Sequence, residues 1–317
     1  MIQNIQLISS PLQPEKRTAY LQIHVAIFLW GFTAILGRWI SLKEVPLVWY
    51  RVIITCIGLL FVPGVLRGLK SLTQKKVMIF WGIGCLIALH WVFFYGSIKY
   101  SNVSVALAGL ATTSLFTSFI EPFIFKKKIR TVEVVLGLMV IAGIYILFNA
   151  TPQSFITGFI MGLVAAFLAA LFSTLNKKYI ELAEPAAITF AELAGGFVFL
   201  TVCFPIYFQF FPDTSFEPSS ADWGYLILLS WVCTAFTMVL SLKALKHLTA
   251  FVANLSLNLE PVYGILLAWA IFGENKELSP NFYMGTLVIL LSIFLHPIVE
   301  NEGVKNRVKR MLSRRIS

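Results

Sequence analysis

Charge is scarce in this chain. Asp, Glu, Lys and Arg make up 13% of its 317 residues, where a soluble domain carries about 25%. That supply cannot cover a water-facing surface, so an ordinary soluble fold is excluded. Acidic residues are the scarcer sign, 15 against 25 Lys and Arg. No Asp, Glu or His cluster of the kind a hydrolytic or metal centre needs is visible. Cysteine is sparse too. Cys56, Cys85, Cys203 and Cys233 have no CxxC spacing and imply no disulfide framework; they read as small packing residues. His24, His90, His247 and His296 are scattered, without HExxH, so no metal site is expected. Gly195-Gly196 has no strand–helix context and is no phosphate loop. No cofactor is expected, and no ATP-binding motif supplies energy.

Apolar residues fill the space that charge leaves. They account for 58% of the chain, and mean hydropathy is +0.82. They fall into runs of about 20 residues, the length a helix needs to cross the hydrocarbon core. Ten such spans are read at 19–37, 46–66, 77–98, 103–125, 131–149, 155–175, 186–211, 222–243, 247–272 and 279–298. Backbone groups in lipid must be satisfied within each segment, so the expected fold is an all-α integral membrane protein. The first span ends in Gly37-Arg38-Trp39 without a small-x-small cleavage site. It reads as a retained anchor helix.

Basic residues set the expected orientation. Twenty of the 25 Lys and Arg fall on the side that holds the N-terminus, as in Arg67–Lys76, Lys126–Arg130, Lys177-Lys178 and the tail. Arg38, Lys43, Lys99 and Lys276 are opposite, and Arg51 is inside a span. By the positive-inside rule both termini are expected in the cytoplasm, with the chain multi-pass in the cell (inner) membrane. The net charge of +10 then follows from loops facing anionic lipid, and no nucleic-acid partner is needed. In the tail, Val304, Val308, Met311 and Leu312 share a helical face among Lys and Arg. Two readings stand for it: an amphipathic helix lying on the membrane, and a disordered basic tail.

The chain also repeats itself. Ala26-Ile27-Phe28-Leu29 resembles Ala165-Ala166-Phe167-Leu168, and Pro46 pairs with Pro185 at the same offset of 139. Further on, Lys99-Tyr100 matches Lys246-His247 at an offset of 147, and Gly137 matches Gly285 at 148. The longer connection around Pro212–Asp222 absorbs the change. These matches divide the chain into an N-terminal segment (1–18), a first five-helix repeat (19–150), a second (151–298) and a basic tail (299–317). Five is odd, so the second copy must insert upside down. Inverted repeats of this kind build secondary transporters, with the solute site between them near mid-membrane.

Several motifs resemble the drug/metabolite transporter superfamily, and specifically its EamA-type ten-helix transporters. They are Phe28-Leu29-Trp30-Gly31, Trp49-Tyr50-Arg51, His90-Trp91 through Tyr95-Gly96-Ser97-Ile98, and Leu115-Phe116 to Glu121-Pro122. The second copy offers Asn258-Leu259-Glu260-Pro261-Val262-Tyr263-Gly264 and Phe272-Gly273-Glu274. The likeness spans about residues 20–298. It implies a solute carrier with a central cavity, often an exporter of amino acids or other metabolites. One departure stands out: at the offset of 147, Glu260-Pro261 lies opposite Thr113-Ser114, so the site is expected to be asymmetric.

Ionisable groups in hydrocarbon cost about 2.5–3.5 kcal/mol at a helix centre on insertion scales and persist where they face a cavity or a partner. Glu260 lies about 20 Å into its span at 1.5 Å per residue, and His90 is at similar depth. The expected solute site therefore comprises Glu260, His90, Thr113, Ser114 and Asn258, walled by Trp30, Trp91, Tyr95 and Tyr263. Pro261 has no N–H, which frees the carbonyl of Leu257 to meet a polar solute. A buried Glu260 can also carry a proton and couple transport to proton movement; the competing reading is a structural carboxyl. His90 reads equally as a satisfied structural histidine, and Trp91 and Tyr95 as lipid-facing aromatics. Arg51 is read as a vestibule residue attracting an anion, or as one snorkelling to lipid phosphate. Glu121 and Glu192 are read as gating acids pairing with Lys127 or Lys178, or as ordinary interfacial charges.

The expected function is secondary transport of a small metabolite by alternating access, as an exporter and not an enzyme. Its partners would be the solute and membrane lipids. A membrane-embedded enzyme acting on a lipid-linked substrate is the alternative.

Overall fold

The computed structural model describes residues 14–126, 128, 131–248, 256–257 and 259–300. Among these the regular structure is entirely helical. The helices are α1 (Pro14–Trp39), α2 (Glu44–Leu60), α3 (Val65–Lys70), α4 (Gln74–Tyr100), α5 (Val103–Leu110), α6 (Thr113–Phe125) and α7 (Thr131–Ala150). The second half adds α8 (Ile156–Tyr179), α9 (Pro185–Phe210), α10 (Ser220–Ile227), α11 (Thr237–His247), α12 (Leu259–Phe272) and α13 (Pro280–Glu300). A π-helical stretch, Leu228–Phe236, joins α10 to α11.

These elements make the ten expected passes. Six are long and apolar enough to cross a membrane by length and composition, and Val134–Ala150, Leu259–Phe272 and Pro280–Ser292 are shorter apolar helices. Residues 249–255 of the expected span 247–272 lie outside the described residues, as do Asn258, most of the tail and residues 1–13. The bundle's outer surface is apolar: Phe61, Phe123, Tyr145 and Val202 are all largely exposed. A soluble monomer does not display so much contiguous apolar surface, so lipid is the solvent of this face.

Local chemistry explains the breaks. The span expected at 46–66 ends early, at Leu60, because Pro63 disfavours helix at Val62. Gly64 then turns the chain at φ +91°. The span at 103–125 is split into α5 and α6 around Ala111-Thr112. There Thr112 Oγ1 donates to Gly109 O at 2.7 Å and Thr113 Oγ1 to Leu110 O at 2.6 Å. Hydroxyls that bond nearby carbonyls compete with the helical ladder. Asn102 caps α5 by accepting from Val105 N, and Ser219 with Asp222 forms a capping box on α10.

Neighbour relations carry the pseudo-twofold. α4 packs on α8 and α9, while α10–α11 and its π-helical stretch pack on α1 and α2. α5 and α6 lie on α8 as α12 lies on α1. Exchanging the first five passes for the last five maps each of these contacts onto another. The contacts α2–α9, α5–α12 and α7–α13 map onto themselves. α7 and α13 cross where Gly143 and Gly285 lie face to face, a Cβ on either falling about 3.0–3.1 Å from the other's carbonyl oxygen. The protein is thus a ten-helix membrane bundle of two inverted five-helix repeats.

Candidate functional site

A cavity of about 180 Å³ lies between the two halves. At its deep end stand Thr33, Arg51, Phe94 and Leu110. Its walls run to Ile23, Glu121, Phe125, Lys177 and Leu245. These belong to the start of α1 and the ends of α6, α8 and α11, all on the face that holds the start of α1.

Arg51 dominates the deep end. It is 2% exposed and is held on three sides. Its Nε donates to Thr234 Oγ1 at 2.9 Å and its Nη1 to Tyr95 Oη at 2.6 Å. Its guanidinium carbon stands 3.8 Å from the centroid of the Trp91 ring. The aromatic face stabilises the cation electrostatically, and more so away from water. Glu260 lies on the same cavity as the acidic group acting on Arg51. Placing a carboxylate within electrostatic reach of a buried guanidinium lowers the cost of burying both charges. Thr234 belongs to the π-helical stretch, and its hydroxyl donates back to Leu229 O at 2.6 Å. The wider turn therefore sets the position of the group that anchors Arg51.

The remaining expected residues divide. Trp30, His90, Trp91, Thr113, Ser114, Glu121 and Glu260 line the cavity together with Arg51. Ser114 Oγ is buried without a hydrogen-bond partner among the described residues. His90 both lines the cavity and is bonded, Nδ1 to Ala165 O at 2.8 Å. Tyr95 is fully buried behind Arg51 and is not in the lining. Tyr263 lies instead edge-on to Phe28 of α1. Glu192 is fully buried and bonds neither Lys178 nor any other described group. Asn258 and Lys127 lie outside the described residues, and Leu257 is in the cavity lining.

Other lining residues fall beyond the expected set: Thr33, Thr117, Ser173, Asn176, Lys177 and Ser241. The sequence carries a signal for part of this group. Thr113, Thr117 and Glu121 recur every four residues and so share one helical face. Asn176 and Lys177 carry no such signal and look like part of a charged helix end.

The opposite face is shut by polar contacts. Arg38 pairs with Glu274, whose carboxylate also accepts from Val103 N at 3.0 Å and Ser104 N at 2.8 Å. Two backbone N–H groups at the start of α5 and one guanidinium thus converge on one fully buried carboxylate. Asn102 Nδ2 donates to Glu277 at 3.0 Å. Ser41 donates to Asp222 through both N, at 2.7 Å, and Oγ, at 2.5 Å. Lys99 reaches the carbonyl of Ile40.

A bundle of inverted repeats enclosing a mostly apolar cavity with a few polar and charged groups, closed at one face, is the architecture of an integral membrane transporter. The chain belongs to the EamA-like transporter family, whose model matches residues 17–149 and again 156–296. An uncharacterized transporter of Bacillus subtilis (strain 168), YxxF, is 22% identical over 303 residues, covering 92% of this chain and 93% of that protein. An uncharacterized transporter of Clostridium kluyveri is 24% identical over 215 residues, 63% of this chain and 65% of that one. A solved crystal structure superposes with a TM-score of 0.63 at 15% identity, over 89% of this chain and 97% of that one. That likeness concerns the fold alone.

Proposed function

We propose that this transporter is a secondary carrier that exports an amino acid or a related small zwitterionic metabolite by alternating access. One observation carries the reading: a buried cation and a half-buried carboxyl, Arg51 and Glu260, line a single cavity shut at one face. Arg51 Nη2 makes no hydrogen bond among the described residues. It would take the solute carboxylate, and Glu260 its ammonium. Ser114 and Thr113 supply hydroxyls between them, and Trp30, Trp91 and Phe172 wall the apolar part. Each end of such a solute replaces hydration with a charge-assisted contact in a water-poor site.

The positive-inside rule supports cytoplasmic termini in the cell membrane. The cavity then faces the cytoplasm, and the Arg38–Glu274 contacts form the outer gate. The two repeats, 19–150 and 151–298, exchange conformations to open that gate. Loading from the cytoplasm suits export.

Counterflow tests this directly. Purified protein in liposomes preloaded with unlabelled solute should accumulate radiolabelled members of an amino-acid panel. Glu260→Gln should insert normally and lose that counterflow. No accumulation of any panel member by the wild type, or undiminished rates in Glu260→Gln, would overturn the assignment.

A further inference from the structure

Two fully buried side chains of opposite charge lie on symmetry-related helices of the two halves. Arg51 is on α2 and Glu192 on α9, two positions out of register at the repeat offset of 139. Both are buried, at 2% and 0% exposure. The pseudo-twofold exchanges α2 with α9, which also pack on each other. Their surroundings nevertheless differ. Arg51 is anchored by Tyr95, Thr234 and Trp91 and borders the cavity. Glu192 has no charged partner: neither carboxyl oxygen makes a hydrogen bond of good geometry among the described residues. The polar side chain beside it is Asn176, whose Oδ1 is also without a donor. Asn176 in turn lines the cavity.

Three acceptor oxygens without a cationic partner, one side chain removed from the cavity, call for a cation. The ionisable groups on the elements packed against α9 are committed elsewhere. On α4, Lys75 is exposed, Lys76 donates to Leu182 O, Lys99 to Ile40 O, and His90 is bonded to Ala165 O. On α2, Arg51 is held as described. On α3, Arg67 and Lys70 are exposed. On α11, Lys243 is exposed and Lys246 stands 3.9 Å from Glu184. On α8, Lys177 donates to the carbonyls of Leu245 and Leu248, and Lys178 lies over Tyr179. A metal cation would need more oxygen ligands than three, and the nearby hydroxyls of Thr174 and Thr189 already bond Ala170 O and Pro185 O. A proton needs one partner. On Glu192 it cancels the charge and provides a donor for Asn176 Oδ1.

We propose that Glu192, reached through Asn176, is the proton-binding site that couples this carrier to the proton gradient. The proposal rests on the alternating-access reading. When the halves exchange conformations, α9 takes the place α2 now holds. Movement of α9 against α4 then opens Glu192 to the opposite face, while Arg51 is withdrawn. A proton binds the carboxylate from that side. On return it leaves through Asn176 to the present cavity, so one O–H bond forms and the same bond breaks in each cycle.

Two readouts separate this from the carrier reading. Infrared difference spectra of the full-length protein across a pH series report the carbonyl stretch of a protonated carboxyl without any solute. The wild type should show a titrating band that Glu192→Gln lacks and Glu192→Asp retains at a shifted position. In liposomes, a pH gradient should drive uptake of the amino-acid panel, and Glu192→Gln should lower that uptake about tenfold or more while keeping counterflow. A band unchanged in Glu192→Gln, gradient-driven uptake equal to wild type, or a response to a sodium gradient in place of a pH gradient each overturns the proposal and leaves the carrier standing. Absence of counterflow in the wild type overturns the carrier reading, and the infrared band decides the proton site separately.

Discussion

Gly84 of α4 and Glu192 of α9 meet backbone to backbone: a methyl on Gly84 would overlap the carbonyl oxygen of Glu192. Gly196 completes the crossing, since its own Cβ would fall 2.8 Å from Gly84 O. Two helices this close leave no room for side chains between them. Gly84→Val should therefore destabilise the fold, by more than the about 1–3 kcal/mol typical of overpacking, because backbone and not a flexible side chain must yield. Gly82→Val, which meets open space, is the control. Monomer surviving a heating series on size exclusion reads both.

Trp91 presents its ring to the Arg51 guanidinium at 3.8 Å. Trp91→Leu keeps an apolar wall and removes the quadrupole, which is worth about 2 kcal/mol when the pair is desolvated. Apparent affinity in counterflow should weaken, and thermal stability should fall. An unchanged concentration dependence would mean that Arg51 owes nothing to the ring.

Thr234 holds Arg51 Nε at 2.9 Å and bonds Leu229 O within its own wide turn. Thr234→Val is close to isosteric and strands a charged donor. The expected loss is about 1–3 kcal/mol in stability, the cost of a buried group left without its partner. Thr234→Ser should restore most of it, which chemical denaturation in detergent can measure.

The Arg38–Glu274 contacts predict an asymmetry between two variants. Arg38→Gln removes one of the carboxylate's partners and leaves the N–H groups of Val103 and Ser104 in place. Glu274→Ala removes all of them at once. Both should loosen the closed face, the second more. With the native cysteines replaced, a cysteine at Ser114 should react faster with an impermeant thiol reagent applied from that face. Equal labelling in wild type and both variants would show that the gate lies elsewhere.

The passes are legible in the sequence because each is a long apolar run, and the bilayer tolerates little else. Their interruptions are not. The split at Ala111-Thr112 depends on which hydroxyls turn back to the ladder, and the π-helical stretch at Leu228–Phe236 on packing against α2. Neither leaves a period in the sequence. For the site, depth alone brings Glu260, His90, Thr113 and Ser114 to one layer. Depth says nothing of rotation, so it also assigns Tyr95 and Tyr263 to a cavity that they only back or avoid. Distance from the helix start puts Arg51 near the outer surface; the Trp91 and Tyr95 rings that bury it are invisible to that count. Glu192 sits near a helix end, where a charged group ordinarily reaches water, but α4 covers it.

The fifth helices of the two halves, α7 and α13, lie chiefly against each other, and neither contributes a residue to the cavity lining among the described residues. Solute choice and scaffold strength therefore reside in different parts of the chain. Changes along the Gly143–Gly285 seam should alter how firmly the halves are joined while leaving the cavity lining as it is.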